Sequence, residues 1–210
     1  MARHRPRLML PSPGDPWGEP TAGREQGGHH AIRRGQRYLP VYEEQRQGEP
    51  LLLHGALGAA DPAVTSDWSL LLPALAARYR TFSLEFRAHG RIDNAAGRLS
   101  YAQMADDVAA FIELLRLTPA HLAGFSDGAT ISLVLGMTRP AVLRSLVCVG
   151  ANYCVDDHLR RGMELFDAAA IERESPEFAA ELARRHDAHH HPGYWRDRFL
   201  IAPETQRRPA

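Results

Sequence analysis

The chain has 210 residues, 44% of them hydrophobic and 24% charged, with 25 basic side chains against 25 acidic ones and no formal net charge. That length holds one α/β domain with a sizeable core, and the even balance excludes the basic footprint of a nucleic-acid binder or of a protein held to an anionic membrane. Every basic residue is Arg and none is Lys, which excludes Schiff-base, P-loop-lysine and pyridoxal-phosphate chemistry together.

Residues 1–36 are rich in Pro, Gly, Arg and His without periodicity and predict a disordered leader, His29-His30 included as part of a solvated tail. Leu8-Met9-Leu10, broken by Pro11, is too short for a signal peptide. No run approaches the ~20 apolar residues of a membrane span. Residues 37–155 predict the folded core. Tyr38 to Glu43 reads as an edge strand, Gln47-Gly48-Glu49-Pro50 as a turn, and Leu51-Leu52-Leu53 as a buried strand ending at His54-Gly55. Ser66 to Arg80 predicts a helix, with Ser66 as N-cap and Trp68, Leu71, Leu72 and Leu75 on its apolar side. Thr81 to Phe86 is the next strand. Ser100-Tyr101-Ala102-Gln103 is a capping box, and the helix it opens places Met104, Val108, Phe111 and Leu115 on one face. His121 to Phe125 predicts a strand, Asp127 to Thr138 a helix stopped by Pro140, and Leu143 to Val149 another strand. Residues 156–200 predict a cap-like segment of two or three helices, one opening at Ser175-Pro176-Glu177, and residues 201–210 a disordered tail. The alternation of strand and helix is that of parallel βαβ units, so the fold class is α/β: a partial doubly wound, mostly parallel sheet with flanking helices. The two cysteines, Cys148 and Cys154, read as thiols, the first in the core, and fit a reducing cytoplasm.

The sharpest motif is Gly124-Phe125-Ser126-Asp127-Gly128, placed where a strand gives way to a helix. A serine nucleophile needs such a tight turn, with glycines where side chains would strike neighbouring backbone and the positive end of a helix behind the hydroxyl. Two upstream segments stand in order with it. His54-Gly55 closes the Leu-rich strand, and Glu85-Phe86-Arg87-Ala88-His89-Gly90-Arg91 follows the next one.

With these three motifs the chain resembles the α/β-hydrolase superfamily over roughly Tyr38 to Trp195. The resemblance implies that Ser126 is the nucleophile and that the amides of Asp127 and Ala56, or of Leu57, hold the oxyanion. It implies structural roles beside the site for His54, Gly55, Arg87, His89, Gly124 and Gly128. It also implies chemistry without a cofactor or metal, on small ester, lactone or related carbonyl substrates. Glu85 stands where the family's loop carries Asp. In the family the triad acid and His follow strands beyond the cap, so the expectation is a hydrolase shortened at its C-terminus, impaired by the missing acid and base, and prone to self-association through an exposed sheet edge. Asp156 and Asp157 are the substitute acids in hand, and His158, His186, His189, His190 and His191 the substitute bases. The run from His186 to His191 reads as a polar helix end or cap loop, as a metal site, or as a replacement catalytic His. The competing function is a non-catalytic ligand-binding or interaction protein on the same scaffold. A dinucleotide binder is excluded, because no Gly-x-Gly-x-x-Gly follows a strand.

Overall fold

Among the described residues six strands pair side by side in one sheet, the inner ones apolar runs bounded by turn residues. The computed structural model describes residues 29–30, 41–45, 48–55, 67–92, 94, 99–154, 156–157, 161 and 168–198. The strands are β1 (His29–His30), β2 (Val41–Gln45), β3 (Glu49–His54), β4 (Tyr79–Leu84), β5 (Ala120–Phe125) and β6 (Leu143–Val149), in the order β1-β2-β4-β3-β5-β6. β4, β3, β5 and β6 run parallel, while β1 and β2 join antiparallel at one margin. The expected parallel sheet is therefore present. His29 and His30 depart from the expected leader: they pair with Tyr42 and Val41, because β2 offers its outer ladder to them.

The helices are α1 (Leu72–Ala76), α2 (Tyr101–Leu114), α3 (Asp127–Thr138), α4 (Ala168–Glu174), α5 (Pro176–His186) and α6 (Tyr194–Arg198). α2 and α3 follow the sequence reading closely. Ser100 caps α2 by accepting the Gln103 amide at 3.1 Å. Met104, Val108 and Phe111 then pack with Ile131 and Leu135 of α3 against Leu52, Phe82 and Leu122 of the sheet. The opposite face carries Leu51, Leu53 and Ala123 against Trp68 and Leu72. Central strands buried on both faces need continuous apolar runs, which is why Leu51-Leu52-Leu53 sits in β3.

The helix expected over 66–80 is corrected to five residues. Pro73, without an amide hydrogen, is tolerated in a first turn and so fixes where α1 begins. Tyr79 and Arg80 leave the helix to pair with Glu49 and Pro50. Leu71, expected on the apolar side, is exposed, and Ser66 lies outside the described residues. The next strand ends at Leu84, two residues early, because Glu85 and Phe86 turn away from the ladder into the following loop. Cys148 and Cys154 are free thiols, the first half-buried and the second exposed. Among the described residues no helix is long and apolar enough to cross a membrane.

Candidate functional site

β5 runs straight into Ser126, which adopts φ 54° and ψ −118°, and α3 starts at the next residue. A left-handed φ on a non-glycine residue costs on the order of 1–3 kcal/mol and persists only where the surroundings over-determine it. Here they do. The Ser126 amide donates to Val149 O at 2.8 Å, and the Ser126 carbonyl accepts from Ala129 and Thr130 at 3.0 Å each. The flanking glycines explain how the backbone gets so close. A Cβ on Gly124 would lie 2.3 Å from Gly128 O, and one on Gly128 would lie 2.5 Å from Gly55 O. Gly128 N–H donates to that same Gly55 carbonyl at 3.1 Å, tying the turn after β3 to the turn after β5.

Asp127 opens α3, so its amide is among the first N–H groups, which have no acceptor within the helix. Its carboxylate accepts the Tyr101 hydroxyl at 2.5 Å. Burial, together with the adjacent carboxylate, pushes the Tyr101 phenol well above its ordinary range. Ala56 and Leu57, expected to supply the second oxyanion amide, lie outside the described residues, as does His158.

His54 is fully buried, its ring edge-on to Phe86 at 5.0 Å, and neither ring nitrogen meets a hydrogen-bond partner among the described residues. Desolvation lowers its pKa from the ordinary 6.5 to about 3. Its carbonyl accepts the Trp68 indole N–H at 2.8 Å. The loop after β4 is built from charge pairs. Glu85 accepts from Arg91 N, Nε and Nη2 at 3.0, 2.9 and 2.7 Å. Arg87 forks onto Asp107 at 2.9 and 2.7 Å in a buried bidentate pair. Ala88 and Gly90 take positive φ values of 65° and 54°. His89 Nδ1 lies 2.8 Å from Arg87 O and, as a donor to that carbonyl, fixes its tautomer. Burial lowers the His89 pKa, opposed by that carbonyl and by the nearby Asp127 and Glu85 carboxylates. Glu85 in place of the family's Asp thus still reaches back to its own loop.

The histidine run docks on this loop. His186 Nδ1 accepts the Gly90 amide at 2.8 Å, and His190 Nε2 reaches the Gly90 carbonyl at 3.0 Å while its ring stacks on Tyr194 at 3.8 Å. Asp187, at the end of α5, accepts the Gly193 and Trp195 amides at 2.8 and 3.1 Å. His189 and His191 are exposed, as are Asp156 and Asp157. Among the described residues no hydrogen bond joins an imidazole to the Ser126 hydroxyl, and no three His, Cys, Asp or Glu side chains gather as a metal site. Tyr101, Asp107 and Trp68 were not among the sequence candidates. The sequence marked Tyr101 as the first residue of a capped helix and Trp68 as core, but neither signal names a partner.

His186 is also fully buried, and desolvation, helped by neighbouring His89 and Arg185, lowers its pKa to about 3. With His54 this gives acid lability of a definite sign. Unfolded, both imidazoles bind a proton below about 6.5. Folded, they do so only near 3, so between those values the unfolded chain holds more protons. Their contribution is complete above pH 6.5 and is lost as pH falls toward 3. The urea midpoint should therefore drop between pH 7 and pH 4. A midpoint constant over that window would contradict the assignment.

The fold has known relatives. The family model described as alpha/beta hydrolase fold matches residues 51–209. The provisionally named carbamate hydrolase RutD of Azorhizobium caulinodans is 31% identical over 124 residues, 59% of this chain and 45% of that protein. The chain thus spans about half the length of such relatives. Among solved structures, a carboxylesterase of the thaumarchaeon Nitrososphaera gargenis superposes with a TM-score of 0.64 at 15% identity, covering 85% of this chain and 71% of that one. The enol-lactonase of Burkholderia xenovorans LB400 gives 0.57 at 18% identity, covering 79% and 69%.

Proposed function

Because the chain belongs to the alpha/beta hydrolase fold family, we propose that it is a cofactor-free serine hydrolase of small ester, lactone or related carbonyl compounds, with Ser126 as nucleophile. One observation carries this reading: a non-glycine residue held at φ 54° between a parallel strand and a helix, with glycines on both sides. Ser126 Oγ would attack the carbonyl carbon, and the amides of Asp127 and Ala56 would receive the developing oxyanion at the start of α3. The Tyr101–Asp127 hydrogen bond and the Gly128–Gly55 hydrogen bond would keep those amides in place. His54, Arg87 and His89 shape the surrounding turns. A neutral His54 at pH 7 suits a packing role beside Phe86 rather than proton transfer.

The hydroxyl needs a base, and among the described residues none is bonded to it. Turnover by this chain alone is therefore expected to be weak, since removing a triad member costs on the order of 10⁴ or more in rate. That same observation favours a second reading, a ligand-binding protein that keeps the pocket architecture without the relay. Self-association belongs to either reading: among the described residues β6 pairs on one side only, and its own Val147 and Val149 are exposed.

The deciding experiment compares the parent chain with Ser126→Ala, using a fluorophosphonate probe with peptide mapping and a nitrophenyl ester. The expected result is slow covalent label on the Ser126 peptide, as for a serine without its base, lost in the variant, with ester turnover within about tenfold of the variant's. Absence of label at Ser126 in a folded chain supports the binding reading instead. Turnover some thousands of times above the variant would place a working base in residues beyond those described.

A further inference from the structure

A hydrogen-bonded Ser–His–Glu trio lies at the other end of the sheet, away from Ser126. His121 and Ser145 are register partners on β5 and β6, and Ser145 Oγ lies 2.7 Å from His121 Nδ1. On the other side of the ring, His121 Nε2 lies 3.2 Å from Glu49 Oε2, at the start of β3. A carboxylate can only accept, so Nε2 carries the proton and Nδ1 is left as an acceptor for the Ser145 hydroxyl. The Tyr79 ring, edge-on at 5.4 Å, holds the imidazole in that orientation.

The local backbone builds this arrangement. Ala120 pairs with Leu143 but His121 pairs with Ser145, so Arg144 is an extra residue in β6. A bulge of this kind re-aims side chains, and Arg144 accordingly reaches Glu49 Oε1 at 3.6 Å. Strand alternation then places Ser145, Val147 and Val149 in one row on one face. Val147 and Val149 are 52% and 46% exposed, giving an apolar strip that starts at the serine. Ser145 stands five residues before Gly150 and so roughly 17 Å from the Ser126 turn, at ~3.3 Å per residue.

We propose that Ser145, His121 and Glu49 form a second nucleophilic site, independent of Ser126, that takes acyl groups from activated esters with an apolar aryl or alkyl portion. In that step Ser145 Oγ bonds to the carbonyl carbon and its proton passes to His121 Nδ1. The bond to the leaving alkoxide or phenolate breaks, and the leaving group collects the proton from the imidazolium. Glu49 stabilises the imidazolium, and the Arg144 guanidinium stands beside the trio, 3.6 Å from the Glu49 carboxylate. The apolar strip at Val147 seats the acyl chain. With a fluorophosphonate the same geometry forms a P–O bond and expels fluoride.

The test uses the full chain carrying Ser126→Ala, so that only a second nucleophile is read. A fluorophosphonate should label the Ser145 peptide, and Ser145→Ala in that background should remove the label. His121→Gln should slow labelling roughly 100-fold and Glu49→Gln about tenfold, with circular dichroism unchanged. Glu49 is exposed, so its variant keeps the test readable if the His121 variant misfolds. Label that is absent, that scatters over other hydroxyls, or that ignores both Glu49→Gln and His121→Gln in folded chains overturns the proposal and reduces the trio to a register clamp. A Ser145→Ala chain with Ser126 intact reports separately on the Ser126 site.

Discussion

Replacing Gly124 with alanine is expected to destabilise the chain by at least about 3 kcal/mol and to abolish labelling at Ser126. The new Cβ would sit 2.3 Å from Gly128 O, 2.5 Å from Gly128 C and 2.6 Å from Ala129 N. These are backbone atoms in the first turn of α3, and they have no rotamer by which to retreat. Nor can α3 slide as a unit. Gly128 N is bonded to Gly55 O, Ser126 N to Val149 O, and Leu135 and Ile131 are fully buried against the sheet. Relief therefore requires breaking the turn that gives Ser126 its φ of 54°. Denaturant titration of the variant, read beside fluorophosphonate labelling, checks both halves. A midpoint within experimental error of the parent would show that the turn is far softer than these contacts imply. Gly136→Ala is the control, because its Cβ would meet the flexible end of Leu146 at 3.0 Å rather than backbone.

This tight elbow was legible in the sequence because it depends on local chemistry. Small residues at fixed offsets, an apolar run before and a helical run after describe the turn almost completely. α2 was legible for the same reason, since Ser100 and Gln103 are three residues apart and their hydrogen bond forms within one turn. α1 was not, because Tyr79 and Arg80 suit a helix as well as a strand, and only pairing with Glu49 and Pro50 decides between them. His29 and His30 were missed likewise: their strand exists only by virtue of β2.

The histidines show the limit most clearly. Composition left His186 to His191 open between a polar cap loop, a metal site and a catalytic base. The contacts put His186 on the amide and His190 on the carbonyl of Gly90, 96 and 100 residues away in sequence. A distance of that kind has no local signature. Gly90, with its positive φ, lies inside the loop motif, which carried no sign of a docking partner. The loop after β4 is thus fixed from three directions: by Arg91 to Glu85, by Arg87 to Asp107 on α2, and by the segment running from α5 to α6. His89 sits in the middle of that frame, close enough to Asp127 for the carboxylate to bias its titration.

Removing the α2 anchor of that frame, by Asp107→Ala, is expected to cost about 3–5 kcal/mol. Arg87 and Asp107 have side chains only 7% and 3% exposed, and their bidentate geometry places both guanidinium–carboxylate contacts under 3 Å. Such a pair gains little relative to two apolar residues, because desolvating both charges offsets most of the attraction. Losing one partner is a different matter, since the remaining guanidinium stays buried opposite a void. The expected order is therefore Asp107→Ala worst, Asp107→Asn intermediate because the amide still accepts one N–H, and the double variant Arg87→Met/Asp107→Leu nearest the parent. Chemical denaturation ranks these chains, and adding the single variants Arg87→Met and Asp107→Leu to the parent and the double variant gives the coupling energy. Equal losses in Asp107→Ala and in the double variant would mean that volume, not charge, sets the cost. Fluorophosphonate labelling of Ser126 in the double variant carries the argument to the site. If the ion pair acts on the nucleophile only by holding the loop around His89, the apolar replacement should restore labelling along with stability. Stability recovered without labelling would mean instead that the Arg87 charge itself contributes beside Ser126.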